Sequence, residues 1–159
     1  MKIGVAFTGG TIGSIVGEEG YIETDSKNPF KLIDMYEQSA PDNVVDDIEF
    51  VTFPIYRILS EKLDAQHIIA LSDGVRKLAD TGVDGIIVTH GTDTLQYSAA
   101  MLSYAFGINS IPIVLVSSDY PLDDERANGL DNFACAVEFI RQKIGKGVFV
   151  SYKTKVMTL

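Results

Sequence analysis

The chain has 159 residues, of which 46% are hydrophobic and 22% charged, enough to bury the core of one ordinary soluble domain. Its net charge of −9, from 22 acidic against 13 basic residues, argues against a nucleic-acid or anionic-membrane surface, which needs clustered Lys and Arg. A single cysteine, Cys135, cannot close an internal disulfide, and its place on the apolar side of an expected helix reads as an inert buried thiol.

In chain order, Lys2 to Phe7 reads as a strand, ending in the turn Thr8-Gly-Gly-Thr-Ile-Gly13. The chain opens directly on this strand, without a secretory leader, and no apolar run approaches a membrane span, so a cytoplasmic location is expected. Residues 14–25 are polar, carry Gly17 and Gly20, and read as a long mobile loop or lid. Asn28-Pro29 reads as the start of a helix that carries Phe30, Ile33 and Met35 or Tyr36 and runs to about Gln38. A strand over Ile48–Phe53 is expected to stop at Pro54, with a loop over Tyr56–Glu61.

Asp64 caps a helix marked by Ile68, Leu71, Val75 and Leu78, which closes at Thr81-Gly82. Gly85-Ile-Ile-Val88 is nearly all apolar and β-branched, as in a strand buried on both faces, and it runs into Thr89-His-Gly-Thr-Asp-Thr94. Leu95, Ala99, Leu102 and Phe106 mark another helix, and Pro112 opens a strand over Ile113–Val116. After the acidic loop Asp119–Glu125 comes an amphipathic helix through Leu130, Phe133, Val137, Ile140 and Ile144, then a last strand over Gly147–Ser151. Strands alternating with helices predict a three-layer, doubly wound α/β domain: a mainly parallel sheet with helices on both faces.

Two Gly-hinged, Thr-bearing turns at strand ends are the functional signal, because open α/β sheets bind ligands at the carboxyl edge. Gly9, Gly10 and Gly13 match neither the dinucleotide nor the phosphate-loop spacing. No metal-ligand spacing and no nucleophile elbow is present. Each turn also has a plain structural reading: a tight turn at Thr11, and Asp93 with Gln96 as a capping pair beside a satisfied His90. Together they can place a hydroxyl, a relay and a carboxylate around one carbonyl carbon. Threonine is a weak nucleophile that needs such a network.

Thr8-Gly-Gly-Thr-Ile-Gly13 and His90-Gly-Thr-Asp-Thr94, at this separation, resemble the two signature motifs of the bacterial-type L-asparaginase family. Ile58-Leu-Ser-Glu61 and Asp119-Tyr-Pro-Leu-Asp-Asp-Glu-Arg-Ala-Asn-Gly129 are similar to further family segments. The resemblance implies an amidohydrolase releasing ammonia from asparagine or glutamine, with no cofactor or metal. It implies Thr11 as nucleophile, Tyr21 as its flap partner, and Thr92 with Asp93 as the second threonine and its carboxylate. Ser60 corresponds to a substrate-carboxylate contact, and Glu61 stands where many members carry glutamine. The family lysine falls beyond the last strand; Lys153 and Lys155 come too early. Residues 1–159 thus correspond to the N-terminal family domain, with the C-terminal domain absent and a homo-oligomer expected at full length. The wording Ile58-Leu-Ser-Glu61 also fits a glutamine-hydrolysing subunit of a tRNA-dependent amidotransferase, although such subunits usually carry an extra N-terminal domain. A non-catalytic domain sensing asparagine or aspartate is the rival of a different class.

Overall fold

In the computed structural model the described residues are 1–16, 22–24, 30–107 and 111–158. The four apolar runs form the centre of a six-stranded sheet: β1 (Lys2–Gly9), β4 (Glu49–Ile58), β5 (Gly85–Thr89), β6 (Pro112–Val116), β7 (Gly147–Tyr152) and β8 (Lys155–Thr158). A separate antiparallel ribbon joins β2 (Ser14–Val16) to β3 (Ile22–Thr24), so part of the expected loop over 14–25 is paired strand. Tyr21 and Asn28-Pro29 lie outside the described residues.

The sheet order is β4-β1-β5-β6-β7-β8, with only β8 antiparallel. Among the parallel strands this is a doubly wound order whose direction reverses between β1 and β5. Two apolar layers follow from the period-two alternation of strand side chains. Ile3, Val5, Phe7, Ile87, Val114 and Val116 pack on one face, under α1 (Lys31–Ser39) and α5 (Gly129–Arg141). Ala6, Ile86, Val88, Ile113, Leu115 and Val150 pack on the other, under α3 (Ala65–Asp80) and α4 (Leu95–Phe106). A short α2 (Asp42–Val45) precedes β4.

This assignment of helices to faces makes one connection unusual. The β4–α3–β5 and β5–α4–β6 crossovers move in one direction along the sheet and lie on one face, while β1–α1–β4 moves back and lies on the other. These share the hand that parallel crossovers adopt in about 98% of cases. The β6–α5–β7 crossover moves with α3 and α4 but places its helix on the α1 face, so its hand is opposite. Its connection, Ser117 to Asn128, therefore has to cross the carboxyl edge of the sheet to reach the far side.

Two sequence expectations are corrected here. β4 does not stop before Pro54 but runs to Ile58, and the expected loop from Tyr56 begins only after that. β4 is the edge strand, so one of its flanks has no neighbour to receive an N–H, and a proline is tolerated there. Cys135 is half-buried rather than enclosed. The Asp64 cap is formed, its carboxylate accepting from the backbone N–H of Gln66 at 2.9 Å and His67 at 3.0 Å.

Candidate active site

The ends of β4, β1 and β5 converge through three glycines that leave no room for a side chain. Gly9 and Gly10 have φ of 91° and 74°, the left-handed region that favours glycine. A Cβ on Gly10 would lie 2.4 Å from the Cα of Gly91, and one on Gly91 would lie 2.4 Å from the Cβ of Ser60. The Gly10 N–H donates to the Ile58 carbonyl at 2.8 Å. The turn bearing Thr11, the turn bearing Thr92 and the turn bearing Ser60 are thus pressed together at the β1/β5 reversal. Thr11 opens a single 3-10 turn, Thr11–Gly13, whose Ile12 is buried in the α1/α5 layer.

The second turn is held by side-chain hydrogen bonds. Thr8 Oγ1 donates to the Thr89 carbonyl at 2.6 Å, stitching β1 to β5 beneath the site. His90 is 2% exposed. Its Nδ1 lies 2.9 Å from the Gly91 carbonyl, which can only accept, so Nδ1 carries the proton. In the neutral ring Nε2 then accepts from Ser98 Oγ at 2.8 Å. Burial pushes the His90 pKa down, partly offset by the bond to the Gly91 carbonyl, which keeps the ring neutral. His90 is a satisfied core histidine.

Asp93 does not do what a cap would do. The helix N-cap is Thr94, without a side-chain capping bond, and Gln96 Nε2 reaches the Asp93 carbonyl at 3.2 Å. The Asp93 carboxylate instead accepts from Ser60 Oγ at 3.1 Å and from Thr92 Oγ1 at 3.4 Å. Thr94 Oγ1 donates to the Ser60 carbonyl at 3.2 Å, fixing the same two turns a second time. Ser60 is buried, Thr11 and Thr92 are half-buried, and Asp93 is exposed. Ser60, Thr92 and Asp93 therefore form one hydrogen-bonded group, with the Thr11 turn packed against it through Gly10 and Gly91. Glu61 lies beside Ser60 in the 3-10 turn Ser60–Lys62, exposed to solvent.

Sequence reading missed three contributors. Thr94 was legible only as a helix start. Tyr56, on the edge strand, has a buried hydroxyl beside Thr8 with no well-formed hydrogen bond, and burial pushes its pKa up to about 12. Asp119, in the crossing loop after β6, takes the Tyr152 hydroxyl at 2.8 Å and Asn128 Nδ2 at 3.1 Å, tying that loop to β7. With Thr92 and Gln96 it lines a shallow hollow beside the site. Among the described residues no cluster of His, Cys, Asp and Glu is arranged to hold a metal ion.

The architecture and the site define a doubly wound α/β domain whose two threonine-bearing turns meet at its topological switch. The sequence profile described as asparaginase, N-terminal, matches residues 2–158, and the chain belongs to that family. It is 31% identical over 157 residues to the L-asparaginase of Thermococcus kodakarensis, covering 99% of this chain and 45% of that protein. It is 34% identical over 153 residues to a glutamyl-tRNA(Gln) amidotransferase polypeptide of Methanosarcina acetivorans, covering 96% of this chain and 35% of that protein. The solved thermostable L-asparaginase from Thermococcus kodakarensis superposes with a TM-score of 0.82 at 28% identity, over 99% of this chain and 46% of that one. The chain spans less than half the length of these relatives.

Proposed function

We propose that this domain is the nucleophile-bearing half of an amidohydrolase that converts L-asparagine to L-aspartate and ammonia. In this reading the Thr11 hydroxyl adds to the side-chain amide carbon, ammonia leaves from an acyl-threonine, and water then releases the acid. Thr92 and Asp93 supply the relay and an exposed carboxylate, suited to the substrate's α-ammonium group. In the same reading Ser60 meets the α-carboxylate, Glu61 is a further substrate contact, and Tyr21 is the flap tyrosine. The observation that carries the reading is the convergence of both threonine turns at the β1/β5 reversal, with the Asp93 carboxylate turned to Ser60 and Thr92 rather than to the helix N-terminus.

The relatives extend well beyond the matched region, and a lysine and further contacts from a second domain complete the site in this proposal. The complete protein is then a cytoplasmic homo-oligomer acting on a small molecule without a cofactor, and residues 1–159 alone turn over negligibly, since members of such a network act as a unit. The likeness to the amidotransferase polypeptide favours a second reading, glutamine hydrolysis that delivers ammonia to a partner protein.

The test is ammonia release by the complete protein from asparagine and from glutamine. Thr11→Ala is expected to abolish turnover, and mass spectrometry of quenched enzyme to place any acyl adduct on Thr11. Thr92→Ala is expected to lose nearly as much. Normal turnover by Thr11→Ala removes the mechanism, and leaves an asparagine- or aspartate-sensing domain as the better account. Glutamine as the preferred substrate, with activity raised by a partner protein, selects the amidotransferase reading.

A further inference from the structure

A regular parallel pair matches its strands residue for residue, but β1 and β4 do not match near the site. Phe7 pairs with Pro54 and Gly9 with Ile58, so the single residue Thr8 faces Ile55, Tyr56 and Arg57 of β4. Such a bulge bends its strand and re-aims a side chain, and bulges gather beside active sites. Here it sets the Tyr56 hydroxyl beside Thr8.

Tyr56 is oriented the wrong way round for a surface tyrosine. A half-buried tyrosine ordinarily keeps its ring in the protein and its hydroxyl in water. In Tyr56 the hydroxyl is the enclosed end, with no formed hydrogen bond to the described residues. The ring is wedged in place. His67 abuts it edge-on at 5.0 Å between centroids, and the Asp64 carboxylate holds the His67 ring at 2.7 Å. α3 is pressed so closely on the bulge that a Cβ on Gly74 would lie 2.5 Å from Ile55 Cδ1. A buried hydroxyl left unpaired is unfavourable by about 1–3 kcal/mol, and a phenylalanine would fill the same space without that cost.

The complement beside it is Thr8, itself buried. Thr8 Oγ1 has committed its proton to the Thr89 carbonyl at 2.6 Å, which leaves its lone pairs as acceptors. Burial pushes the Tyr56 pKa up to about 12, so the phenol is a donor at any working pH. Beyond Thr8 the line continues through one peptide. The Thr89 carbonyl accepts from Thr8, and the next N–H, of His90, donates to the Val116 carbonyl at 2.8 Å. One bond from Tyr56 to Thr8 therefore completes a row across β4, β1, β5 and β6. Thr11 lies three residues beyond Thr8, and Thr92 three beyond Thr89, so both turns are measured from this row.

We infer that Tyr56 is a positioning residue for the reaction proposed above, its hydroxyl donating to Thr8 Oγ1 in the working site and fixing the spacing of the strand ends that carry Thr11 and Thr92. The inference rests on the threonine-nucleophile reading. Tyr56 touches no substrate in it; it acts through Thr8.

The experiment is a double-mutant cycle on the complete protein, read by ammonia release from asparagine and glutamine and by urea unfolding. A misplacement of about 1 Å at a reacting group can cost 100-fold in rate. Tyr56→Phe, which loosens the row without removing a strand contact, is expected to lower kcat roughly tenfold with KM little changed. Its urea midpoint is expected to equal or exceed that of the wild type, because the hydroxyl it removes is unpaired. Thr8→Val keeps the shape of the side chain and removes the relay. It is expected to lower kcat at least as far, and Tyr56→Phe on that background is expected to lower it no further. Additive losses in the double variant overturn the inference, as does a kcat loss in Tyr56→Phe matched by an equal loss of stability; either makes Tyr56 a structural residue only. Thr11→Ala separates this claim from the reading beneath it. Turnover that survives Thr11→Ala ends both, whereas Thr11-dependent turnover with a wild-type kcat in Tyr56→Phe ends this inference alone.

Discussion

The two turns that meet at the site are built by opposite means. The first, Gly9 to Gly13, takes its shape from the backbone: two residues at positive φ, and an approach to Gly91 so close that no side chain fits. The second, Thr89 to Thr94, takes its shape from side chains, with Thr89, His90, Thr92, Asp93 and Thr94 each engaged in a hydrogen bond. The first turn's residues are chosen for what they lack and the second's for what they donate or accept. Damage should differ accordingly: steric and all-or-none in one, graded and dependent on protonation in the other.

The largest effect is therefore expected at Gly10. An alanine there must adopt φ near 74° and displace the Gly91 backbone, from which its Cβ would be 2.4 Å. A left-handed alanine costs about 1–2 kcal/mol and overpacking a further 1–3, so a loss of roughly 3 kcal/mol is expected. Urea unfolding of Gly10→Ala against wild type reads it. Gly13→Ala is the control, since its φ is not positive and a Cβ there meets nothing within 4 Å. Equal stability of the two variants would break the contrast between a backbone-made and a side-chain-made turn.

The second turn should show itself as a pH dependence. Burial lowers the folded-state pKa of His90 below the unfolded value of about 6.5. Above that pH both states hold a neutral ring and the group is silent. As pH falls below it, the unfolded state binds the proton first, and stability is lost progressively down to the folded pKa. Urea midpoints are expected to fall between pH 7 and pH 5. His90→Gln, which keeps a donor and an acceptor but cannot titrate, should flatten that fall, even if it lowers stability throughout. A slope unchanged by the substitution would assign the dependence to other groups.

How much of this was legible follows the same division. The runs Ile3–Phe7, Gly85–Val88 and Ile113–Val116 announce buried parallel strands because both their faces are covered, so hydrophobicity alone specifies them. The first turn was legible through its glycines. β8 was not: residues 153 and 154 form the two-residue turn after β7 at φ of 47° and 60°, yet they are Lys and Thr, not the Asn-Gly that normally signals such a hairpin. The face chosen by α5 was also hidden, since the amphipathic stripe of Phe133, Val137 and Ile140 fits either side of a sheet apolar on both. Asp93 was legible as a carboxylate at a helix start. Its partner Ser60 lies 33 positions away, and only the convergence of β4 and β5 turns a nominal cap into a member of the site.

Ser60 gives the smallest expected effect on stability and the sharpest division between architecture and chemistry. Its Cβ fills the space that Gly91 leaves, while its Oγ donates to Asp93 at 3.1 Å. Ser60→Ala keeps the Cβ and removes only the donor. The Asp93 carboxylate is exposed and can recruit water, so the lost bond should cost no more than about 1 kcal/mol in urea unfolding. Ser60→Val, by contrast, forces branched carbon against the Gly91 backbone and should cost more than Ser60→Ala. If Ser60 serves only to hold the two turns, the small stability loss is the whole phenotype. If it also meets the substrate carboxylate, as proposed, the complete protein carrying Ser60→Ala should fold nearly as well and show a raised KM for asparagine. An unchanged KM with the same small loss of stability would leave Ser60 as a stitch between β4 and β5, and remove it from the substrate-binding set.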